Sequence, residues 1–140
     1  VLQSTIARFV ILNNICYHLD MIKNPKFEFY TRPNGINEFI EFLQGLPVKD
    51  KQKLLATINM VQEHGLLVAQ RMEWIKKVDN DIFEIRSKVS SNIQRALYFH
   101  VTDERYIITH GFTKKTPKTP VNEIKHAKAL KKEFEENNNG

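Results

Sequence analysis

The sequence predicts an α+β fold: an N-terminal strand and a helical hairpin packed on a four- to five-stranded, mainly antiparallel sheet, with a C-terminal helix. Three observations lead there. Residues 74–113 alternate apolar and polar side chains with the period of 2 expected of pleated strands, as in Ile82-Phe83-Glu84-Ile85-Arg86 and Ile93-Gln94-Arg95-Ala96-Leu97-Tyr98-Phe99. Three short polar turns separate these runs, and strands joined so closely must be antiparallel. Before and after them, apolar residues recur at helical spacing.

Taken in order, Lys26-Phe27-Glu28-Phe29-Tyr30 alternates and is rich in aromatics, which predicts a first strand, and Thr31-Arg32-Pro33-Asn34-Gly35 is a turn by composition. Asn37 to Leu46 carries Phe39, Ile40, Leu43 and Leu46 as one helical stripe, ended by Gly45 and Pro47. Val48 to His64 is the strongest helix, with Leu54, Leu55, Ile58 and Val61 inward, Lys49, Lys51, Lys53 and Glu63 in water, and Gly65 as its cap. After a short linker come four strands: Glu73 to Val78, Ile82 to Ser87, Ile93 to Val101 and Tyr106 to Thr113. Asp79-Asn80-Asp81, Ser90-Ser91-Asn92 and Thr102-Asp103-Glu104-Arg105 are the turns between them. Thr119 and Pro120 open a last helix with Ile124, Ala127, Leu130 and Phe134 inward. The tail from Glu135 should fray.

The 140 residues suit one domain with a core, and 41% hydrophobic content argues against wholesale disorder. A net charge of +5 suits an acidic partner. The single cysteine, Cys16, excludes an intramolecular disulfide and thiolate-rich zinc clusters, and fits a reducing cytoplasm. The five histidines lack the spacing of a helical metal motif, so neither a metal nor another cofactor is expected. Residues 1–20 are apolar in bursts broken by Arg8, Asn13 and Asn14, too short to span a bilayer and a poor fit to a secretory signal. We therefore expect an N-terminal extension over 1–20, a domain over 21–136 and a disordered tail over 137–140. The rival reading of 1–20 is a strand or helix packed on the domain or on a second copy.

The strand pattern places Glu84 and Arg86 on one face and Phe83 and Ile85 on the other. A sheet apolar beneath and cationic above is a candidate polyanion surface. Its candidate residues are Lys76, Lys77, Arg86, Arg95, His110, Lys114, Lys115 and Lys118. Only one of the neighbouring Lys76 and Lys77 can face the site. Arg86 has an ion pair with Glu84 as its structural alternative. His110 titrates near neutrality, about 6.5 unperturbed, and is equally a histidine bonded to backbone. Arg95 shares a face with Leu97 and Phe99, so it lies on a partly polar end or pairs with an acid. Tyr98 and Trp74 are expected in the core, and His100 and His126 at the surface. Lys125, Lys128, Lys131 and Lys132 form a solvated face or a phosphate contact.

The sequence resembles the RelE superfamily of bacterial toxins, most closely the HigB-like, phage-derived killer-protein branch of type II toxin–antitoxin systems. The resemblance rests on Phe39-Ile40-Glu41-Phe42-Leu43 with Leu46-Pro47, on His64-Gly65, on Ile82 to Arg86 and on Arg95 to Phe99. It continues in His110-Gly111-Phe112-Thr113-Lys114-Lys115-Thr116-Pro117-Lys118-Thr119-Pro120, with Glu123-Ile124 and Ala127. It spans about Met21 to Phe134. Residues 1–20 have no counterpart, Ile85 stands where Leu is common, and Glu73-Trp74 fall in a variable segment. The resemblance implies a cytoplasmic, metal-independent, ribosome-dependent endoribonuclease that cleaves messenger RNA and inhibits translation. A cognate antitoxin, in this branch usually a helix-turn-helix DNA-binding protein, would hold it inactive; no membrane is involved. Arg86 would then contact the scissile phosphate as a bidentate donor, with His110 and Lys115 completing the catalytic set. Lys76, Lys77, Arg95, Lys114 and Lys118 would bind RNA phosphates. The alternatives are a non-catalytic RNA- or protein-binding module of the same fold and direct DNA binding through the basic last helix.

Overall fold

A computed structural model describes residues 24–138. The extension expected over 1–20 lies outside the described residues. In chain order the elements are β1 (Lys26–Phe29), α1 (Glu38–Gln44), α2 (Val48–Arg71), β2 (Ile75–Asp79), β3 (Ile82–Val89), β4 (Asn92–Thr102), β5 (Arg105–Lys114) and α3 (Val121–Asn138). The five strands form one mixed sheet in the order β1-β5-β4-β3-β2. β1 runs parallel to β5, and the other pairs are antiparallel. This is the expected α+β class, consistent with a RelE-like fold.

Local chemistry explains the elements. Asn37 caps α1 through its side-chain oxygen, which accepts from the Ile40 N–H at 3.0 Å. Phe39 and Leu43 point inward while Ile40 is 41% exposed, so the stripe is centred one position away from the expected one. Gly65 does leave helical geometry, at φ 86° and ψ 168°, but α2 resumes and runs on to Arg71. The expected linker is helical because Leu66 and Ala69 have core to bury against. α2 closes with Trp74 N–H donating to Ala69 O (2.9 Å) and Glu73 N–H to Gln70 O (3.1 Å). That is a Schellman cap, and it sets Glu73 at φ 61°. The three hairpin turns hold Asp81, Ser90 and Asp103 at φ 63°, 56° and 48°.

The sheet buries both faces. On one, Ile85, Ala96, Tyr98, Tyr106 and Ile108 pack against Phe39, Leu43, Leu54, Ile58 and Val61 of the helical hairpin. On the other, Ile82, Leu97, Phe99 and Ile107 pack against Ala127, Leu130 and Phe134 of α3. Trp74 and Tyr98 both join the hairpin-side core. A bulge in β5 decides which residues reach which face. Leu97 pairs with His110 but Tyr98 with Ile108, leaving Thr109 as the extra residue. Its hydroxyl donates to the Leu97 carbonyl at 3.2 Å. Were β5 regular through Thr109, strict alternation would set His110, Phe112 and Lys114 on the hairpin side with Ile108. The bulge moves them to the α3 side.

α3 differs from expectation at both ends. The Pro120 carbonyl accepts from Glu123 N–H (3.1 Å) and Ile124 N–H (3.3 Å), whereas the Thr119 hydroxyl donates to Glu84 Oε2 at 2.7 Å and caps nothing. At the far end Asn137 and Asn138 stay helical, their amides donating to the carbonyls of Glu133 and Phe134. Among the described residues no helix is long and apolar enough to cross a membrane.

Candidate functional site

Arg86 on β3 and Arg95 on β4 are register partners, so both point to the α3 side. Two adjacent cations on one face need counter-groups, and the segment after β5 supplies them. Arg86 Nη2 donates to Pro117 O at 2.8 Å. Arg95 Nη1 donates to Lys118 O at 2.9 Å, and its Nη2 to Thr116 O. Beneath them lies Glu84, fully buried, with Oε1 3.3 Å from Arg86 Nε and Oε2 accepting from Thr119. Arg95 is itself fully buried, with Cζ 5.7 Å from the Phe112 ring centre. Burial pulls its pKa below the usual guanidinium value, Glu84 opposes this, and Arg86 adds to it. Arg95, expected either to bind phosphate or to play a structural part on the sheet, lies inside and holds the loop.

Two adjoining cavities open along this edge of the sheet and share Lys76 and Pro117. The larger, about 580 Å³, is bounded by Lys76, Arg86 and Lys88, with Ser87 and, from the end of α2, Gln70 and Glu73. The smaller, about 410 Å³, is bounded by Lys76, Lys77, Lys118 and Thr119 beside the first turn of α3. Lys76 stands opposite Glu84 and Lys77 opposite Phe83, so Lys76 is the one that shares the Arg86 face. Four of the expected cations, Lys76, Lys77, Arg86 and Lys118, are thus brought together. Arg86 keeps its Nη1 group without a partner among the described residues.

Residues 41–132 match the family described as phage-derived protein Gp49-like (DUF891). The chain belongs to that family. No curated protein matches it.

The remaining expected residues of this Gp49-like chain lie elsewhere. Lys114 and Lys115 are exposed where β5 ends and line neither cavity. His110 sits under α3, 5% exposed, with β4 between it and Arg86. Its Nδ1 faces the Thr109 hydroxyl at 3.0 Å and its Nε2 lies 3.3 Å from Glu123 Oε2. Burial lowers its pKa; Glu123 and Glu38 oppose the shift and His126 reinforces it. His126, expected at the surface, keeps 40% of its side chain exposed. Its ring centre is 4.7 Å from that of His110, and its Nε2 is 2.7 Å from Glu38 Oε1. Glu38 also accepts from Arg32, whose guanidinium grips both oxygens of Glu133 on α3. Tyr30 donates to Glu133 as well, and burial beside that carboxylate pushes its pKa up to about 12. This chain of groups fastens α3 to β1 and α1.

Sequence reading missed Gln70, Glu73, Ser87 and Lys88 as cavity residues, because Gln70 falls in what reads as a linker and the other three show no motif. Among the described residues no cluster of three or more His, Cys, Asp or Glu side chains could hold a metal ion.

Proposed function

We propose that this protein is the toxin of a type II toxin–antitoxin pair, a HigB-like, metal-independent endoribonuclease that cuts messenger RNA on the ribosome in the cytoplasm. A neighbouring helix-turn-helix antitoxin would hold it inactive. The observation that carries the reading is the gathering of Lys76, Lys77, Arg86 and Lys118 around two adjoining cavities on a RelE-like sheet. Membership of the Gp49-like family, a RelE-like group, supports it. In metal-independent RNA cleavage the neighbouring 2′-hydroxyl attacks the phosphorus, and negative charge accumulates on the phosphorane oxygens. Fixed cations are the groups suited to stabilising that charge. Arg86 is the best placed of them, because Glu84 and the Pro117 carbonyl fix its orientation while Nη1 stays available for a phosphate oxygen. In this reading Lys88 joins the phosphate-binding set, Arg95 acts by holding the loop, and His110 serves α3.

The position of His110 favours a second reading, a non-catalytic RNA-binding module, since the one imidazole in the expected catalytic set lines neither cavity. Induced expression in a bacterium, with 5′-end mapping of transcripts, separates the two. We expect growth arrest with new cuts inside translated codons, both lost in Arg86→Ala. Normal growth and intact transcripts with folded wild-type protein would refute the nuclease.

A further inference from the structure

The larger cavity holds more than cations. Ile93 and Pro117 give it apolar walls, and Gln70 and Glu73 give it hydrogen-bonding groups of both kinds. Glu73 is unusual in its backbone. It occupies the left-handed position of the Schellman cap, where glycine is the usual residue and any side chain is disfavoured. The chain places a carboxylate there, at the cavity rim, and Glu73 is the only carboxylate lining either cavity among the described residues.

We propose that this cavity is a nucleotide subsite selective for guanine, with Glu73 as the selecting residue. The proposal rests on the RNA-directed reading above and goes further by naming the base. A carboxylate offers two acceptor oxygens side by side. Guanine presents two adjacent donors on its Watson–Crick edge, N1–H and N2–H, which match them. Adenine and cytosine offer one donor beside a ring-nitrogen lone pair, and uracil one donor flanked by carbonyls; each sets an acceptor against a carboxylate oxygen. The Gln70 amide can donate to guanine O6. Ile93 and Pro117 cover the base faces, while Arg86, Lys76 and Lys88 take phosphate, a contact blind to sequence.

The test is calorimetric titration of the full chain with the four nucleoside 3′-monophosphates. We expect the guanosine nucleotide to bind about ten-fold tighter than the others, the range of one good bidentate pair. Glu73→Gln should abolish the guanine preference and favour adenine and cytosine, whose donor–acceptor edge an amide complements. Glu73→Gly should level the four affinities while raising the melting temperature, because glycine suits φ 61°. That combination separates recognition from support of the fold. Arg86→Ala should weaken all four nucleotides alike. Equal wild-type affinities, no binding at millimolar concentration, or a guanine preference that survives Glu73→Gly would overturn the proposal. A guanine preference in a protein that cuts no transcript would uphold the subsite while removing the nuclease reading.

Discussion

Replacing Glu84 by Gln changes no shape and removes one charge, so it measures how far the cationic face depends on its buried counter-ion. The carboxylate is fully buried, 3.3 Å from Arg86 Nε. At an effective dielectric of about 20 the attraction across that distance is about 5 kcal/mol, offset by the cost of removing both ions from water. The Gln side chain can still accept from Thr119. What remains is Arg86 opposite Arg95 on neighbouring strands. Breaking a buried pair by removing one partner typically costs about 3–5 kcal/mol, and we expect Glu84→Gln to fall in that range. Urea unfolding followed by circular dichroism would show the midpoint falling by about 2 M with an unchanged slope. The double variant Glu84→Gln/Arg86→Gln should recover at least half of the loss, since it removes the unpaired cation as well. A loss below about 1 kcal/mol, the scale of an exposed pair, would refute the argument. So would strict additivity in the double variant.

Two further predictions concern the sheet. A Cβ on Gly111 would lie 2.3 Å and 2.5 Å from the Phe42 ring carbons, so Gly111→Ala should cost about 1–3 kcal/mol in thermal unfolding, and Phe42→Leu should relieve part of it. His110 has a lowered pKa, so on folding it gives up protons that the unfolded chain holds. Its stabilising contribution is complete above the unfolded value of about 6.5 and is lost as pH falls through the folded value. Urea midpoints should therefore drop between pH 7.5 and 5.5, and His110→Gln should flatten that part of the profile; an unchanged slope would count against burial as the cause.

The sequence shows the sheet and hides how its face is furnished. Period-2 alternation and turn residues suffice for β2 to β5 because each strand has a buried face and a short connection. Alternation alone does not explain how His110 comes to the α3 side, because the bulge at Thr109 resets the side-chain phase and nothing in Ile107-Ile108-Thr109-His110 announces an extra residue. Gly65 reads as a helix end and is indeed non-helical, yet tertiary burial of Leu66 and Ala69 restarts the helix and carries Gln70 and Glu73 to the cavity. The awkwardness of Arg95 beside Leu97 and Phe99 is legible. Its resolution is not, because the partners are main-chain carbonyls, which every residue possesses.

The segment Thr116-Pro117-Lys118-Thr119-Pro120 shows why those carbonyls are available. Two of its five residues are prolines, which lack an N–H and cannot extend the β5 ladder. The segment is therefore short of donors and keeps its carbonyls, which is the complement of a guanidinium with five donors and no acceptor. Arg86 takes the Pro117 carbonyl and Arg95 those of Thr116 and Lys118. Thr119 donates to Glu84, and the Pro120 carbonyl starts α3. A stretch that reads as a basic phosphate-binding tract thus works first as a strap. It ties the arginine row to the last helix, and in doing so it sets Pro117 between the two cavities and Lys118 at the rim of the smaller one. Arg95 shapes the candidate site without reaching solvent, because the wall it holds carries groups that do.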